Sequence, residues 1–320
     1  MIRRLGDRRG RVREGAVLVE GHRGVETALE AGAAFRFAVV VHPEASEAEA
    51  ALAEELVRNG VEVVHASAEV MAGIADTETP QGLLAVVEEP HPELPAWGGG
   101  TDRGRAPDRG RAPDRGRAPD RGRAPDRGRA PDRGREADRG REANRGREAN
   151  RGREANRGRE ANLGREANLG KGDVLVLDRV QDPGNAGTLI RTAAVFGVER
   201  VLVLDGTVDP WSPKVVRASA ASVFLLPIHR MEIEEALAWL QTVRIPLLVA
   251  DANGEDVRSI QVPEPAALLM GNEGAGPRPA ALAAADRIVA LPMAAGAESL
   301  NVAVAGSILL WALGPGARTT

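Results

Sequence analysis

Cysteine and tyrosine are absent from this 320-residue chain, and phenylalanine and tryptophan number four each. Without thiols there are no disulfides, no zinc–thiolate sites and no thiol nucleophile. With so few rings, aromatic platforms for stacking bases are not expected to dominate any nucleic-acid recognition. Histidine is scarce too. His22, His42, His65, His91 and His229 stand far apart and make no metal-ligand pair at helical spacing, so no metal is expected. Long apolar runs are lacking. The longest, Leu300–Leu313, contains Asn301 and Ser307 and is too short to span a bilayer. The N-terminal stretch Met1-Ile-Arg-Arg-Leu-Gly-Asp-Arg-Arg-Gly10 is charged and leads into no apolar run, so it does not read as a secretory signal. These absences lead to the expectation of a soluble, cytoplasmic protein without membrane partners.

The formal net charge is −4, which by itself speaks against a nucleic-acid binder. Its distribution changes that picture. Residues 102–167 are eleven hexads: five read Asp-Arg-Gly-Arg-Ala-Pro, two read Asp-Arg-Gly-Arg-Glu-Ala, and the last four begin with Asn. Arginine outnumbers carboxylates there, so the rest of the chain is more acidic than the whole. Affinity for nucleic acid must then come from local basic patches or from this segment. The six-residue period matches neither helix nor strand, and Leu163 is its one large apolar residue. Such a unit cannot bury enough surface to offset chain entropy, nor stack as a solenoid. The expected organisation is an N-terminal α/β domain over 1–95, a low-complexity linker over 96–171, and a second α/β domain over 172–320.

Before the linker, strands are expected at Ala16–Glu20, Phe37–Val41, Val61–His65 and Gly82–Val87. Helices are expected at Gly24–Ala31, Glu47–Arg58 and Ala68–Ile74, giving a three-layer arrangement. Arg8, Arg9, Arg11, Arg13 and Arg23 cluster near the entry and are candidates to touch phosphates, although charge runs are commonly just solvated. After the linker, apolar runs such as Val174-Leu-Val-Leu177 and Val201-Leu-Val-Leu204 are those of a parallel sheet covered on both faces. Helices are expected at Ala186–Phe196, Val215–Ser222, Ile233–Val243, Pro279–Ala285 and Ser299–Leu313. The strands between them are Asp173–Asp178, Arg200–Leu204, Val223–Ile228, Leu247–Asp251, Ala267–Met270 and Arg287–Leu291.

Three segments set polar residues against glycines at the mouths of these apolar stretches. The first, Asp178-Arg-Val-Gln-Asp-Pro-Gly-Asn-Ala-Gly-Thr-Leu-Ile-Arg191, follows a strand; Pro183-Gly184 makes the turn and Asn185 sits where it can cap the next helix. The second, Leu268-Leu-Met-Gly-Asn-Glu-Gly-Ala-Gly276, has the spacing G-x-x-G-x-G rather than the dinucleotide fingerprint, and Pro277 and Pro279 intervene before any helix. Its lone carboxylate, Glu273, suits either fixing the loop or orienting a substrate. The third is Leu291-Pro-Met-Ala-Ala-Gly-Ala-Glu-Ser-Leu-Asn301. Ser299 is placed to cap the last helix, and Asn301 falls in the first turn of an otherwise apolar helix, where a polar group needs a reason to be.

In this order and spacing the three segments resemble the motifs of the SpoU/TrmH family of RNA ribose 2′-O-methyltransferases, within the SPOUT superfamily. The resemblance covers roughly residues 172–314. It implies an α/β fold with a deep trefoil knot at the C-terminus, a homodimer packed through it, and S-adenosylmethionine as cofactor. It also implies that Met270, Gly271, Leu291, Met293 and Leu300 line the cofactor, largely through backbone. Asn185, Arg191, Glu273, Ser299 and Asn301 would form the catalytic face. A guanidinium is effectively always protonated, so Arg191 is better read as a phosphate contact or a stabiliser of the emerging 2′-alkoxide than as a base. The phrases Leu18-Val-Glu-Gly-His-Arg-Gly-Val-Glu-Thr-Ala28 and Thr79-Pro-Gln-Gly-Leu-Leu-Ala85 resemble the RNA-binding domain that often precedes this catalytic domain. That implies a ribosomal RNA substrate, a guanosine of the large subunit first of all, with Arg23, Lys214 and Arg217 near the RNA. A transfer-RNA methyltransferase and a non-catalytic RNA-binding or assembly factor are the competing expectations.

Overall fold

The computed structural model describes residues 1–77, 79–94, 172–294 and 299–314; the hexads lie outside the described residues. The N-terminal part contains a 3-10 turn (Ile2–Gly6), α1 (Arg8–Glu14), β1 (Ala16–Glu20), α2 (His22–Glu30), β2 (Phe35–Val41), α3 (Glu47–Arg58), β3 (Val63–Ala66), α4 (Ala68–Ile74) and β4 (Leu83–Glu88). Its sheet runs β1-β4-β2-β3, with β4 antiparallel to both neighbours and β2 parallel to β3. Alternation along β2 sorts the side chains. Ala38 and Val40 pack with α2 and α3 through Val25, Leu52 and Leu56. Val39 and Val41 pack with Leu5 of the 3-10 turn and Met71 of α4 on the other face. Three layers result, as the alternating pattern predicts. Local chemistry sets the ends of α3. Ser46 and Glu49 form a reciprocal capping box, and Asn59 follows the last turn.

The N-terminus departs from expectation. Its charged run folds as a 3-10 turn and α1, because Asp7 accepts from the Gly10 N–H at the helix start and Gly15 ends the helix in the left-handed region. Arg11 is buried rather than solvated. Its guanidinium donates to the carbonyls of Leu5 (2.9 Å) and Gly6 (3.1 Å) and pairs with Asp209 of the C-terminal part at 2.5 Å. It is therefore no candidate for a phosphate contact.

The C-terminal part comprises β5 (Val174–Leu177), α5 (Pro183–Val195), β6 (Arg200–Leu204), α6 (Pro213–Ala218), β7 (Ile228–Met231), α7 (Ile233–Val243), β8 (Leu247–Asp256), β9 (Ala267–Met270), α8 (Pro279–Ala284), β10 (Arg287–Ala290) and α9 (Val302–Leu313). Its six strands are all parallel in the order β10-β8-β9-β5-β6-β7. Val174, Val176, Leu202 and Leu204 face α7 and α8. Leu175, Leu177, Val201 and Val203 face α5, α6 and α9. Burial on both sides explains the unbroken apolar runs.

Three expectations fail here. The run after α6 does not enter a strand at Val223. Ala220 and Ala221 both take left-handed backbone (φ 49° and 61°), Ser222–Phe224 makes a 3-10 turn, and β7 begins only at Ile228. β8 extends to Asp256, because its pairing with β10 breaks after Ile288↔Val249 and resumes at Val289↔Glu255. The last helix starts at Val302, not Ser299.

The two sheets belong to one compact unit. A single buried cluster runs from Val17, Val19 and Leu83 into Val215, Val216 and Ala221. Charged residues seal the junction: Arg230 pairs with Glu89 and, at 3.4 Å, with Asp209, while Arg217 reaches Asp76 (3.5 Å) and Glu20 (3.8 Å).

Candidate functional site

The chain leaves β5 toward β6 and β7 on one side, while β9 and β8 lie on the other. Strand order therefore reverses between β5 and β9, and the crevice beyond the carboxyl ends of those strands is where open α/β sheets place ligands. The first and second sequence motifs emerge there. After β5, Asp182 caps α5 by accepting from the Asn185 N–H at 2.8 Å, with Pro183 in the first turn. After β9, residues 271–277 fold back on themselves. Asn272 and Gly276 exchange backbone bonds of 3.1 and 3.0 Å, and the Asn272 carboxamide accepts from Gly274 and Ala275 and donates to the Arg179 carbonyl. A Cβ at Gly271 would meet the Pro277 nitrogen at 2.4 Å, so glycine is required there by the loop's own closure.

The third motif joins these two through a directional chain of hydrogen bonds. Asn301 caps α9 with its Oδ1, which accepts from Ala303 (2.9 Å) and Val304 (3.2 Å). Its Nδ2 must then donate, and does so to Asn185 Oδ1 at 3.0 Å. Asn185 Nδ2 donates in turn to Glu273 Oε1 at 3.1 Å. Glu273 also accepts from the N–H groups of Asp182 (3.3 Å) and Gln181 (3.4 Å). Partial burial alone would raise the Glu273 pKa, but the bonds from Asn185 and from these backbone groups outweigh it, and the carboxyl is held below its usual value. The relay uses one N–H of each amide, and each carboxamide carries a second.

Beside it lies a cavity of about 270 Å³ with apolar walls of Met270, Leu291, Val302 and Leu309. Met293 (40 % exposed) and Leu300 (45 %) line its open side. Asp251 and Glu273 supply carboxylates, and the broken stretch of β8 contributes Ala250–Ala252. Such a site suits a ligand with a flat apolar part and cationic groups.

A family model described as the SpoU rRNA Methylase family matches residues 173–311, and one described as an MRM3-like substrate binding domain matches residues 1–85. Residues 173–311 thus carry a SpoU methylase domain. It is 40% identical over 141 residues to the 23S rRNA (guanosine(2553)-2′-O)-methyltransferase RlmP of Bacillus subtilis, which covers 44% of this chain and 57% of the relative. It is 36% identical over 144 residues to a 23S rRNA (uridine(2479)-2′-O)-methyltransferase of Streptomyces viridochromogenes, covering 43% and 50%. The chain thus spans about half the length of the curated relatives it matches. Solved structures match along nearly its whole length. The SpoU methyltransferase AviRb of S. viridochromogenes, in complex with AdoMet, gives a TM-score of 0.68 at 25% identity, covering 98% of this chain and 94% of that one. An AdoMet-bound rRNA methyltransferase of Sinorhizobium meliloti gives 0.66 at 26%, covering 98% and 92%.

Within the SpoU domain, Met270, Gly271, Glu273, Leu291, Met293, Ser299 and Leu300 line one cavity, with Asn185 and Asn301 tied to Glu273 at its edge. Two capping assignments need correction. Asn185 sits in the first turn of α5, where Asp182 caps, and Ser299 precedes the cap of α9, which is Asn301. Both pairs contain good capping residues, and sequence alone does not rank them. Arg191 does not join the cavity. It lies six residues after Asn185, about 9 Å along the helix axis at 1.5 Å per residue, and lines a separate groove with Val195, Val304, Ile308 and Trp311. Arg23 and Lys214 are exposed, whereas Arg217 is engaged with Glu20 and Asp76.

Sequence reasoning missed the strut beneath the glycine loop. Asp178 is fully buried and accepts from Arg278 at its backbone N–H (2.9 Å) and Nε (2.6 Å). Arg278 also forks onto Asp205 at 2.9 and 3.0 Å. Hydrogen bonding to Asp205 and the charge of Asp178 outweigh partial burial and raise the already high Arg278 pKa. The available signal was an arginine between two prolines directly after the glycines.

Proposed function

We propose that this chain is an S-adenosylmethionine-dependent RNA ribose 2′-O-methyltransferase acting on 23S ribosomal RNA. The observation that carries the reading is the Asn301–Asn185–Glu273 relay at the edge of the cavity lined by Gly271, Leu291 and Leu300. The relatives named above share 23S rRNA and differ in the base, so guanosine as the target rests on the 40% identical one.

S-adenosylmethionine, when bound, supplies a methyl group already activated by its sulfonium. The protein's task is alignment and assistance to a very weakly acidic hydroxyl. Met270, Leu291, Met293 and Leu300 exclude water from the cofactor pocket, and the loop backbone from Gly271 onward approaches it closely. Glu273 holds Asn185, and Asn185 is held by Asn301, so both amides present their remaining N–H donors in fixed directions toward the sugar. Ser299 adds a hydroxyl on the same side. Arg191, from the neighbouring groove, either grips a phosphate beside the target ribose or stabilises the 2′-alkoxide. Arg23 and Lys214 contact RNA phosphates. Arg217 serves the RNA indirectly, by holding the substrate-binding domain in place.

We further propose the organisation 1–95, 96–171 and 172–320, a trefoil knot at the C-terminus, a cytoplasmic location, and a homodimer. The match of residues 173–311 to the SpoU rRNA Methylase family supports the knot. The exposed apolar residues Val195 (72 %) and Trp311 (58 %), with Val304 and Ile308 between them on α5 and α9, support a dimer face. Among the described residues no helix is long and apolar enough to cross a membrane. Calorimetric titration of the full chain with S-adenosylmethionine tests the core of the proposal. Saturable binding is expected. Absence of binding would favour a non-catalytic RNA-binding or assembly factor.

A further inference from the structure

The N-terminal arginines occupy two different environments. Arg11 points inward, bonded to Leu5, Gly6 and Asp209, and so fixes the rotation of α1 against the SpoU domain. Arg8, Arg9 and Arg13 consequently face solvent. Arg4 joins them, because the 3-10 turn packs directly on α1: a Cβ at Gly10 would meet the Arg4 carbonyl oxygen at 1.7 Å. The four arginines line a shallow hollow of about 550 Å³. Two carboxylates offset part of their charge and leave arginine in excess: Asp7 lines the same hollow, with one oxygen bonded to the Gly10 N–H, and Glu14 lies 3.6 Å from Arg4.

The hollow shares Arg8 with a second cleft. This polar cleft lies at the carboxyl ends of β6 and β7, where Arg8 lines it with Arg230 and the carboxylates Asp205, Asp209 and Glu232, so the basic surface ends at Arg8. Asp205 is the residue on which Arg278 forks, and Arg278 directly follows the glycine loop that walls the cofactor pocket. The cleft that Arg8 lines thus includes the residue that holds Arg278 beside that loop. In a chain that is acidic on balance, four exposed arginines on one fixed surface form a local attractor for a polyanion.

We propose that Arg4, Arg8, Arg9 and Arg13 form a phosphate-binding track that holds the RNA backbone flanking the target nucleotide. This rests on the RNA-methyltransferase reading and adds the surface that positions the strand. The track grips phosphates as point charges and reads no bases.

The test measures binding of a fluorescein-labelled polyuridylate oligonucleotide to the full chain across a salt series. In the combined variant Arg8→Gln, Arg9→Gln, Arg13→Gln, the slope of log affinity against log salt should fall by about 2, since each single-strand phosphate contact contributes ~0.7. The corresponding triple Lys variant should restore the slope, and Arg58→Gln, an exposed arginine on α3, should leave it unchanged. Titration with S-adenosylmethionine should be identical in all of them, which separates loss of the track from loss of fold. A wild-type slope in the Gln variant, or a Lys variant no better than Gln, would overturn the proposal. So would displacement of the RNA by polyglutamate of matched charge, which would point instead to an acidic protein partner. If the wild-type chain binds no RNA while still binding the cofactor, the RNA reading itself fails, and the track with it.

Discussion

The Asn301–Asn185–Glu273 relay and the Arg11–Asp209–Arg230–Glu89 chain both join polar side chains from distant elements, yet they are built for different ends. The charged chain links α1, the loop before α6, β7 and the segment after β4, and its four members alternate in sign. Arg11 and Glu89 are almost fully enclosed, and backbone groups add to the ion pairs: Arg11 donates to the Leu5 and Gly6 carbonyls, and Asp209 accepts from the Trp211 N–H. Such a cluster is architecture. The relay carries a single charge and reaches an apolar cavity through Glu273. The apolar cavity that Glu273 lines separates the site from the joint, and polarity or burial alone would not have told them apart.

The largest effect should come from breaking the joint. Asp209→Ala leaves Arg11 buried without its counter-ion, and removing one member of a buried pair typically costs about 3–5 kcal/mol. Chemical denaturation should show that loss, while Asp209→Glu recovers part of it. A loss below ~1 kcal/mol, the scale of an exposed pair, would mean that the chain is a surface decoration.

On the site side, Arg191→Ala should lower turnover by at least ~10²-fold, as for a lost transition-state charge contact. Cofactor affinity should change little, because Arg191 lines a different groove from the cavity. Near-normal methylation by this variant would remove Arg191 from the reaction. A large loss of cofactor affinity would mean that the two pockets communicate.

A smaller and pH-dependent effect is expected for Glu273→Gln. Its folded pKa lies below the model-compound value of 4.5, so the folded state favours the carboxylate. The resulting stabilisation is present above 4.5 and lost as pH falls through the lower, folded value. The difference in melting temperature between wild type and Glu273→Gln should therefore be constant near neutrality and vanish in acid. A difference independent of pH across that window would show that the relay responds to shape and not to charge.

How much of this was legible in the sequence depends on how local the cause is. Glu47–Arg58 is set by its capping box and Ile233–Val243 by apolar spacing within the segment, and their predicted and observed limits coincide. Ala267–Met270 behaves the same way as a buried apolar run. The three motifs announced that polar residues converge after β5 and β9, because glycines and lone polar groups at strand ends have few other uses. What stayed hidden depends on partners far along the chain. Nothing near Arg11 indicates that Asp209 will be waiting for it. Ala220 and Ala221 carry no mark of left-handed backbone, a conformation that glycine or asparagine would have signalled. The return of β8 to pair again at Glu255 is decided by β10, more than thirty residues later. Asp182 against Asn185, and Ser299 against Asn301, are choices between equally able caps, and tertiary contacts made them.

The central claim is that the cavity bounded by Gly271, Leu291 and Leu300 serves methyl transfer to a ribose hydroxyl. Mass spectrometry of nucleotides from 23S rRNA incubated with the full chain and isotopically labelled S-adenosylmethionine tests it most directly. The account predicts one labelled 2′-O-methylated nucleotide, absent when Asn185→Ala replaces the wild type. Label on a base, or no label with a protein that binds both cofactor and RNA, would contradict it.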